Sequence, residues 1–275
     1  MKTAIRLLAI LVAGAALLAA IHYWQMQHAQ APAPETVAPP PVASAPAPQP
    51  APALELNTPP PIQHPIATEP PAQPLPSIDN SDAPMADAVS GLVGKDRWHA
   101  LFVPDQIVRH IVATVDNLPR SEAPTTTWPV QPAPSWMKTE GSGDQMHIAP
   151  ANAARYAPYV ALVQAIDVDK LVDVYRRFYP LFQQAYVNLG YPGAYFNDRL
   201  VVAIDNLLAA PEPAQPPLLV QKKVLYQYAD PDLESRSAGQ KIMIRIGVQN
   251  ERIVKAKLRQ LRAAITRQPP AGHAQ

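Results

Sequence analysis

Residues 167–191 read DVDKLVDVYRRFYPLFQQAYVNLGY, and this stretch predicts a long amphipathic helix. Asp167 has the side chain of an N-cap, because its carboxylate can accept hydrogen bonds from the first free backbone N–H groups of a helix. The apolar side chains that recur at helical spacing are Val168, Leu171, Val172, Tyr175 and Phe178. A domain built around such an element is predicted to be mainly α-helical, with this apolar side in the core.

The same stretch also carries signals for its own end. Proline lacks a backbone N–H and clashes with the preceding turn, so Pro180 is expected to kink or restart the helix. Glycine adopts the left-handed conformation without strain, so Gly190 is expected at the C′ position that ends the helix. Tyr191 would then pack back on Tyr186.

Helical spacing recurs on both sides of this stretch. Apolar stripes near residues 107–115, 200–208 and 254–265 are predicted to face the core. Asn197 and Asp198 stand where the N-cap of the second of these helices is expected. The stripes together predict several helices packed around one core.

The segments between these helices are predicted to be irregular. Residues 119–150 contain many prolines, threonines and glycines, which allow at most short strands near residues 128–130 and 145–148. Residues 222–228 are expected to form a short strand or an extended piece. The predicted fold is therefore mainly α: one irregular multi-helix globular domain, residues 77–268, with at most short strands.

The beginning of the chain predicts a membrane anchor. Residues 5–24 are predominantly apolar, and about 20 such residues form about 30 Å of helix, which matches the core of a bilayer. Lys2 and Arg6 lie at its start, and no further lysine or arginine occurs before Lys95. The positive-inside rule therefore predicts a single-pass inner-membrane protein, anchored within residues 1–25, with a cytoplasmic N-terminus and a periplasmic domain.

A cleaved signal peptide is the alternative to an anchor, because both begin with a basic and then an apolar region. Ala29, Gln30 and Ala31 form an Ala-x-Ala site of the kind that signal peptidase recognises. Pro32 follows directly, and proline at that position generally resists cleavage. The anchor is therefore the favoured interpretation.

Residues 26–76 are predicted to be a disordered proline-rich stalk. Of the 35 prolines in the chain, 17 fall between Pro32 and Pro76. Such a composition disfavours helix and sheet and favours extended polyproline II. The favoured role is a spacer between membrane and domain, and a docking segment of the PxxP kind is the alternative. Residues 269–275 are predicted to be a disordered tail.

Six short sequence motifs occur together in this chain. They are VDNLP at residues 115–119, YPLFQQAY at 179–186, LGY at 189–191, FNDRL at 196–200, ADP at 229–231 and SAGQK at 237–241. Through this set the chain resembles a family of proteobacterial envelope proteins without assigned function, domain of unknown function family 3014, over residues 77–265. The resemblance implies an anchored domain of this layout in a Gram-negative-type envelope. It implies no activity and no catalytic residues.

Composition and motifs argue against several classes of function. The chain has no cysteine and a net charge of +1, so it offers no thiolate chemistry and no strong field for nucleic acid. The signatures of zinc proteases, serine hydrolases, P-loop proteins and dinucleotide-binding proteins are absent from the sequence. The seven histidines have no metal-ligand spacing. We therefore predict no catalytic residue, no metal site, no cofactor and no nucleic-acid partner.

One set of polar residues, placed among apolar ones near predicted helix ends, is the candidate ligand site. Its members are Asp116, Asn117, Arg120, Asn197, Asp198, Arg199, Gln240 and Lys241. Caps and ion pairs between helices would explain each of them structurally. The functional hypothesis is that these helix ends converge on one cleft and hold a polar ligand, such as a glycan or peptide of the envelope.

Three functions remain open on the sequence alone. The favoured one is a non-enzymatic interaction or scaffold domain that binds another envelope protein or a cell-wall component. The alternative is a carboxylate-dependent hydrolase that acts on an envelope polymer through acids near Asp116 and Asp198, which requires both acids to open onto one pocket. A small-ligand sensor, the third hypothesis, requires an enclosed apolar pocket.

Overall fold

Helices dominate the computed structural model, which describes residues 61–66, 74–222 and 225–267. The α-helices of the described residues are α1 (Asp82–Val93), α2 (Lys95–Leu101), α3 (Ile107–Asn117), α4 (Ala157–Ala165), α5 (Val168–Asn188), α6 (Phe196–Leu208), α7 (Pro231–Glu234), α8 (Ala238–Ile246) and α9 (Val248–Ile265). The strands are β1 (Thr139–Glu140), β2 (His147–Ile148), β3 (Leu219–Lys222) and β4 (Leu225–Tyr228). The prediction of a mainly α domain with few short strands is confirmed.

The side chains of helix α5 explain where it begins and why it continues past its proline. Asp167 is its N-cap, and Oδ1 of that residue accepts hydrogen bonds from the backbone N–H groups of Asp169 (3.0 Å) and Lys170 (3.2 Å). The helix runs through Pro180 without a break, so the alternative of two separate helices is wrong. Pro180 removes one hydrogen bond from the helix. Burial of the flanking side chains, among them Phe178, compensates for that loss and stabilises the continuous helix.

The end of α5 has the predicted left-handed stop. Gly190 has a φ of 114°, which favours glycine over any residue with a Cβ. The rings of Tyr186 and Tyr191 stack with their centroids 4.6 Å apart. This contact turns the chain back toward α6, and both parts of the prediction are confirmed.

The core forms where α1, α3, α6 and α9 pack around α5. Helix α4 lies against α9, and α8 continues into α9 at Gly247. The largest side chains that are almost fully buried include Phe178, Phe196, Met85, Ile107, Ile204 and Ile265. Burying side chains of this size stabilises the fold by about 1.5–3 kcal/mol each before the entropy of ordering is counted.

The strands form two small antiparallel pairs. β3 pairs with β4 in a register that places Leu219 opposite Tyr228 and Lys222 opposite Leu225. The single extended piece predicted at residues 222–228 is therefore the second half of a hairpin. Near residues 128–130, where the sequence predicts at most a short strand, there is one isolated bridge, between Val130 and Phe102.

Two short parts of the predicted stalk lie against the domain. Ile66 and Leu75 both pack on the core cluster, so residues 61–66 and 74–76 contribute to the folded unit. The predicted anchor (5–24), most of the stalk and the tail lie outside the described residues. Within the described part of the chain, no helix has the length and apolar character needed to cross a bilayer.

Candidate functional site

Asp116, in the last turn of α3, carries a buried carboxylate held by two guanidinium groups. Its side chain is 6% exposed, with Arg120 Nη2 2.8 Å from Oδ2 and Arg199 Nε 2.9 Å from Oδ1. Arg199 also donates a hydrogen bond to the backbone carbonyl of Asp116. The negative charge of Asp116 raises the pKa of the Arg120 guanidinium. A buried carboxylate requires such partners, because an unpaired charge in the interior is strongly destabilising.

Tyr191 joins the same cluster from the loop between α5 and α6. Its hydroxyl donates to Asp116 Oδ2 at 3.3 Å and accepts from Arg120 Nη2 at 2.5 Å. We call Asp116, Arg120, Tyr191 and Arg199 the Asp116 cluster. It ties the end of α3 to the start of α6, as the ion-pair explanation of these polar residues requires.

Asn197 and Asp198 bind the backbone of the chain's own N-terminal segment. Asp198 accepts hydrogen bonds from the N–H groups of Gln63 (3.1 Å, to Oδ2) and His64 (2.7 Å, to Oδ1). Asn197 Nδ2 donates to the carbonyl of His64 at 2.8 Å, and its Oδ1 accepts from the Tyr175 hydroxyl at 3.0 Å. We call this arrangement the segment clasp.

The prediction that Asn197 and Asp198 cap α6 is wrong. The N-cap is Tyr195, which makes no side-chain cap, and both polar residues lie in the first turn of the helix. The helix begins at Phe196, whose side chain is buried among the core aromatics. That packing fixes the start of α6 ahead of its polar residues, which are then free to bind residues 63–64.

The last predicted residues also have structural partners. Gln240 Nε2 donates to the Asn206 carbonyl at 3.0 Å, which joins α8 to α6. Lys241 Nζ lies 3.3 Å from Glu234 Oε1 in α7. The backbone carbonyl of Asn117 accepts from the N–H of Arg120 at 2.9 Å.

The predicted helix ends converge only in part. Arg120 and Gln240 line one open polar cleft with a volume of about 540 Å³. The other residues that line it are Pro119, Ser121, Asn206, Asp232, Ser235, Arg236 and Ser237. Lys241 lines a separate cleft beside Trp128. The candidate set therefore divides into the Asp116 cluster, the segment clasp and two clefts.

The carboxylates considered for hydrolysis are engaged in other contacts. Asp116 is neutralised by Arg120 and Arg199, and both oxygens of Asp198 accept hydrogen bonds from backbone N–H groups. Across residues 61–66, 74–222 and 225–267, no group of three or more acidic or histidine side chains is arranged to hold a metal ion. This geometry does not present the two acids as a pair facing one pocket.

A groove that the sequence did not predict lies between residues 125–133 and helices α4, α8 and α9. It has a volume of about 360 Å³, and its lining is mainly apolar and aromatic. The residues that line it are Thr125, Trp128, Val130, Gln131, Pro132, Ala133, Arg155, Tyr156, Tyr159, Val160, Val163, Ile242, Arg245, Ile246 and Val254. We call it the aromatic groove. A concave apolar surface with a few polar groups is the usual form of a binding site.

Hydrogen bonds hold the loop that forms one wall of this groove. Arg155 donates to the carbonyls of Ala133 (3.2 Å), Pro134 (3.0 Å) and Ser135 (2.5 Å). The Tyr159 hydroxyl donates to the Gln131 carbonyl at 2.8 Å, and partial burial raises the pKa of that tyrosine. The wall is therefore fixed before any ligand binds, which lowers the entropy lost on binding.

The sequence signal for this groove is weak. Tyr156 and Tyr159 are three residues apart, which fits one face of a helix, and the same spacing is typical of a stripe that faces the core. Trp128 lies in a segment whose composition predicts irregular structure. Because the groove joins segments far apart in the chain, no local pattern reveals it.

A family profile described as Protein of unknown function (DUF3014) matches residues 107–262. The matched range begins at the start of α3 and ends within α9, so it includes the Asp116 cluster and the aromatic groove. No curated protein and no solved structure matches the chain.

Proposed function

We propose that this chain, which belongs to the DUF3014 family of unknown function, is a membrane-tethered binding domain that holds an extended polypeptide in the aromatic groove. In this proposal the domain is a non-enzymatic interaction or scaffold module. The observation that carries it is the groove itself, an apolar and aromatic concavity whose wall is fixed by Arg155 and Tyr159. Recognition of extended peptides commonly uses such grooves.

The tether is the N-terminal apolar stretch. In the proposal, residues 5–24 cross the inner membrane, the N-terminus lies in the cytoplasm and the domain lies in the periplasm. The support is the length of this stretch and the placement of Lys2 and Arg6 at its start. The proline-rich stalk would let the domain bind a partner away from the membrane surface.

The contacts of the polar residues favour binding over hydrolysis. Asp116 stabilises the junction of α3 and α6, and Asp198 holds residues 63–64. A general acid or base needs a carboxyl group within reach of substrate, and both of these groups already have partners inside the protein. The aromatic groove offers apolar contact area and hydrogen-bond donors instead.

Photo-crosslinking in intact cells tests the binding role. The full chain would carry photo-reactive benzoylphenylalanine in place of Thr125, at the rim of the groove. The matched control would carry it in place of Leu225, which is 70% exposed on β4 and does not line the groove. We expect adducts to polypeptide from position 125 and few from position 225. Filling the groove with Val163→Trp should reduce the adducts.

Equal adduct yields from positions 125 and 225, or yields that Val163→Trp leaves unchanged in a folded protein, would contradict the proposal. Tethering has its own measurement. We expect the full chain to stay with membranes in alkaline carbonate, and its domain to be digested by protease added to spheroplasts. Release into the soluble fraction would refute the anchor.

A further inference from the structure

We propose that the occupant of the aromatic groove is the proline-rich segment of the same chain, residues 32–60. This inference rests on the proposed function, because it names the ligand of the same groove. The segment lies outside the described residues, and it is joined to them at residue 61. Its chemistry, its charge and its reach favour it.

The chemistry of the segment suits an aromatic groove. Residues 32–60 contain 11 prolines, and such a sequence prefers polyproline II before it binds. Little conformational entropy is therefore lost on docking. Proline rings pack well on flat aromatic side chains, and Trp128, Tyr156 and Tyr159 supply three of them.

The hydrogen-bonding groups are also complementary. A proline-rich segment offers many carbonyl acceptors and few N–H donors, because proline has no N–H. The Tyr156 hydroxyl accepts from Arg155 Nη1 at 3.5 Å, which leaves its own hydrogen to donate to a carbonyl. Tyrosine hydroxyls at the edge of the groove would thus fix the orientation of the segment while the rings supply the contact area.

The charges of the groove and the segment are opposite. Arg155 and Arg245 line the groove, and none of the groove's lining residues is acidic. The carbonyls that Arg155 binds are neutral, so they do not cancel its charge. Residues 32–60 contain Glu35 and Glu55 and no lysine or arginine. This complementarity favours the segment over a basic or neutral peptide.

The fixed point of the chain lies close enough to the groove. Asn197 holds His64 and also donates to the carbonyl of Ile265, at the end of α9, at 3.3 Å. Val254 of the same helix lines the groove, and at about 1.5 Å per residue it lies about 17 Å from Ile265 along α9. Extended polyproline II of about 29 residues spans about 90 Å. The segment can therefore reach the groove of its own domain.

Linkage to the domain favours this occupant further. A tethered segment acts at an effective concentration in the millimolar range for short flexible links, so weak contacts suffice to fill the groove. Docking would shorten the stalk, and release would extend it. In the absence of a partner the segment would therefore occupy the groove, and a partner polypeptide would have to displace it.

The test maps the same photo-adducts by mass spectrometry. Full chain in detergent would carry benzoylphenylalanine at position 125, prepared as an equal mixture of isotopically light and heavy molecules. We expect adducts to peptides within residues 32–60, joining light to light and heavy to heavy. Replacing the 11 prolines of that segment with serine should lower this yield about tenfold, since the preformed extended shape is lost.

The outcomes separate this inference from the proposed function. No adducts to residues 32–60 in detergent, with adducts to another protein from position 125 in cells, would overturn the inference and leave the binding role intact. Light–heavy adducts would also overturn it, because the segment would then come from a second copy. A groove that forms no adducts either in detergent or in cells would overturn both. Circular dichroism of the serine variant checks that the domain remains folded, since none of the replaced prolines lies among the described residues.

Discussion

The ammonium group of Lys255 lies 2.9 Å from Oε1 of Glu251, and both side chains are buried in α9. The two groups form an ion pair whose angles do not suit a hydrogen bond. Neither Glu251 oxygen has a hydrogen-bond partner among the described residues. Lys255 donates hydrogen bonds to the Ala210 carbonyl at 2.6 Å and to Glu212 at 3.0 Å. Burial raises the pKa of Glu251. The positive charge of Lys255 therefore stabilises the ionised Glu251 carboxylate, which burial destabilises.

Removing Lys255 alone should be more destabilising than removing the pair. Lys255→Met leaves the Glu251 charge buried without a cation, and we expect it to lower the free energy of unfolding by about 3–5 kcal/mol. The double variant with Glu251→Leu removes the buried charge and should recover most of that loss. Urea denaturation at about pH 7 measures both. A double variant as unstable as the single one would show that packing, not charge, dominates here.

The Asp116 cluster should behave as a buried ion pair. Asp116→Asn leaves Arg199 without its carboxylate, and we expect a loss of about 3 kcal/mol in the free energy of unfolding. The matched control is Asp205→Asn, which breaks an exposed pair with Arg262 and should cost less than about 1 kcal/mol. Thermal and urea denaturation compare the two. Similar losses would refute a special role for the cluster.

Gly239 marks a close approach between α8 and the residues after α3. A Cβ at this position would lie 2.7 Å from Leu207 Cδ2 and 3.0 Å from the Leu118 carbonyl. We expect Gly239→Ala to lower the free energy of unfolding by about 1–3 kcal/mol, because the backbone carbonyl cannot move away easily. Urea denaturation measures this change.

Gly91 provides the control for that substitution. It lies in α1, and a Cβ at this position would have no atom within 4 Å apart from those of its chain neighbours and its own helical backbone. Gly91→Ala should therefore leave the protein as stable or more stable by up to about 1 kcal/mol, because alanine favours the helix. Equal effects of the two substitutions would contradict the close approach at Gly239.

Tyr228 should make stability depend on pH in the alkaline range. Burial raises the pKa of its hydroxyl from 10.0 to about 12. The folded protein then binds the proton more tightly than the unfolded chain does, so stability is full below about pH 10 and falls as pH rises toward about 12. Between about pH 10 and 11 this residue should lower the free energy of unfolding by up to about 1.4 kcal/mol per pH unit.

Comparison with Tyr228→Phe isolates this residue from the other tyrosines. The variant lacks the ionisable hydroxyl, so its free energy of unfolding should fall less steeply above about pH 10. Guanidinium denaturation at about pH 9, 10 and 11 gives both slopes. Parallel slopes would mean that the Tyr228 hydroxyl titrates normally.

Local sequence signals correctly predicted the features whose interacting residues lie close together in the chain. The Asp167 cap, the Gly190 stop and the Tyr186–Tyr191 contact all involve neighbours in the chain, and all are present. The N-cap of α7 is equally local, since the Asp230 side chain accepts from the N–H of Asp232. These features could be predicted because their partners lie within a few residues.

Features that join distant segments could not be predicted in the same way. Asn197 and Asp198 satisfy the residue preference for a cap, yet their partners are Gln63 and His64, more than 130 positions away in the chain. The aromatic groove likewise needs Trp128 beside α4 and α8. Periodicity shows which face of a helix is apolar, and it does not show which faces meet.

The segment clasp gives the final prediction. Asp198→Ala removes both acceptors of the Gln63 and His64 amides. We expect amide exchange at residues 61–66 to become faster by about tenfold or more, since each hydrogen bond to a charged group contributes about 1.5–3 kcal/mol. Because these contacts hold one short segment rather than two core helices, the midpoint of global unfolding should change little. Hydrogen–deuterium exchange with mass spectrometry resolves this segment.

Asp205→Ala is the matched control, because Asp205 is also an acid of α6 and its hydrogen bonds go to Arg262, while it interacts with His64 through charge alone. It should change exchange at residues 61–66 much less than Asp198→Ala does. Asp198→Asn keeps one side-chain oxygen as an acceptor, so its effect should lie between those of the wild type and Asp198→Ala. Equally fast exchange in the Asp205 variant would mean that α6 as a whole, rather than the Asp198 carboxylate, holds the segment.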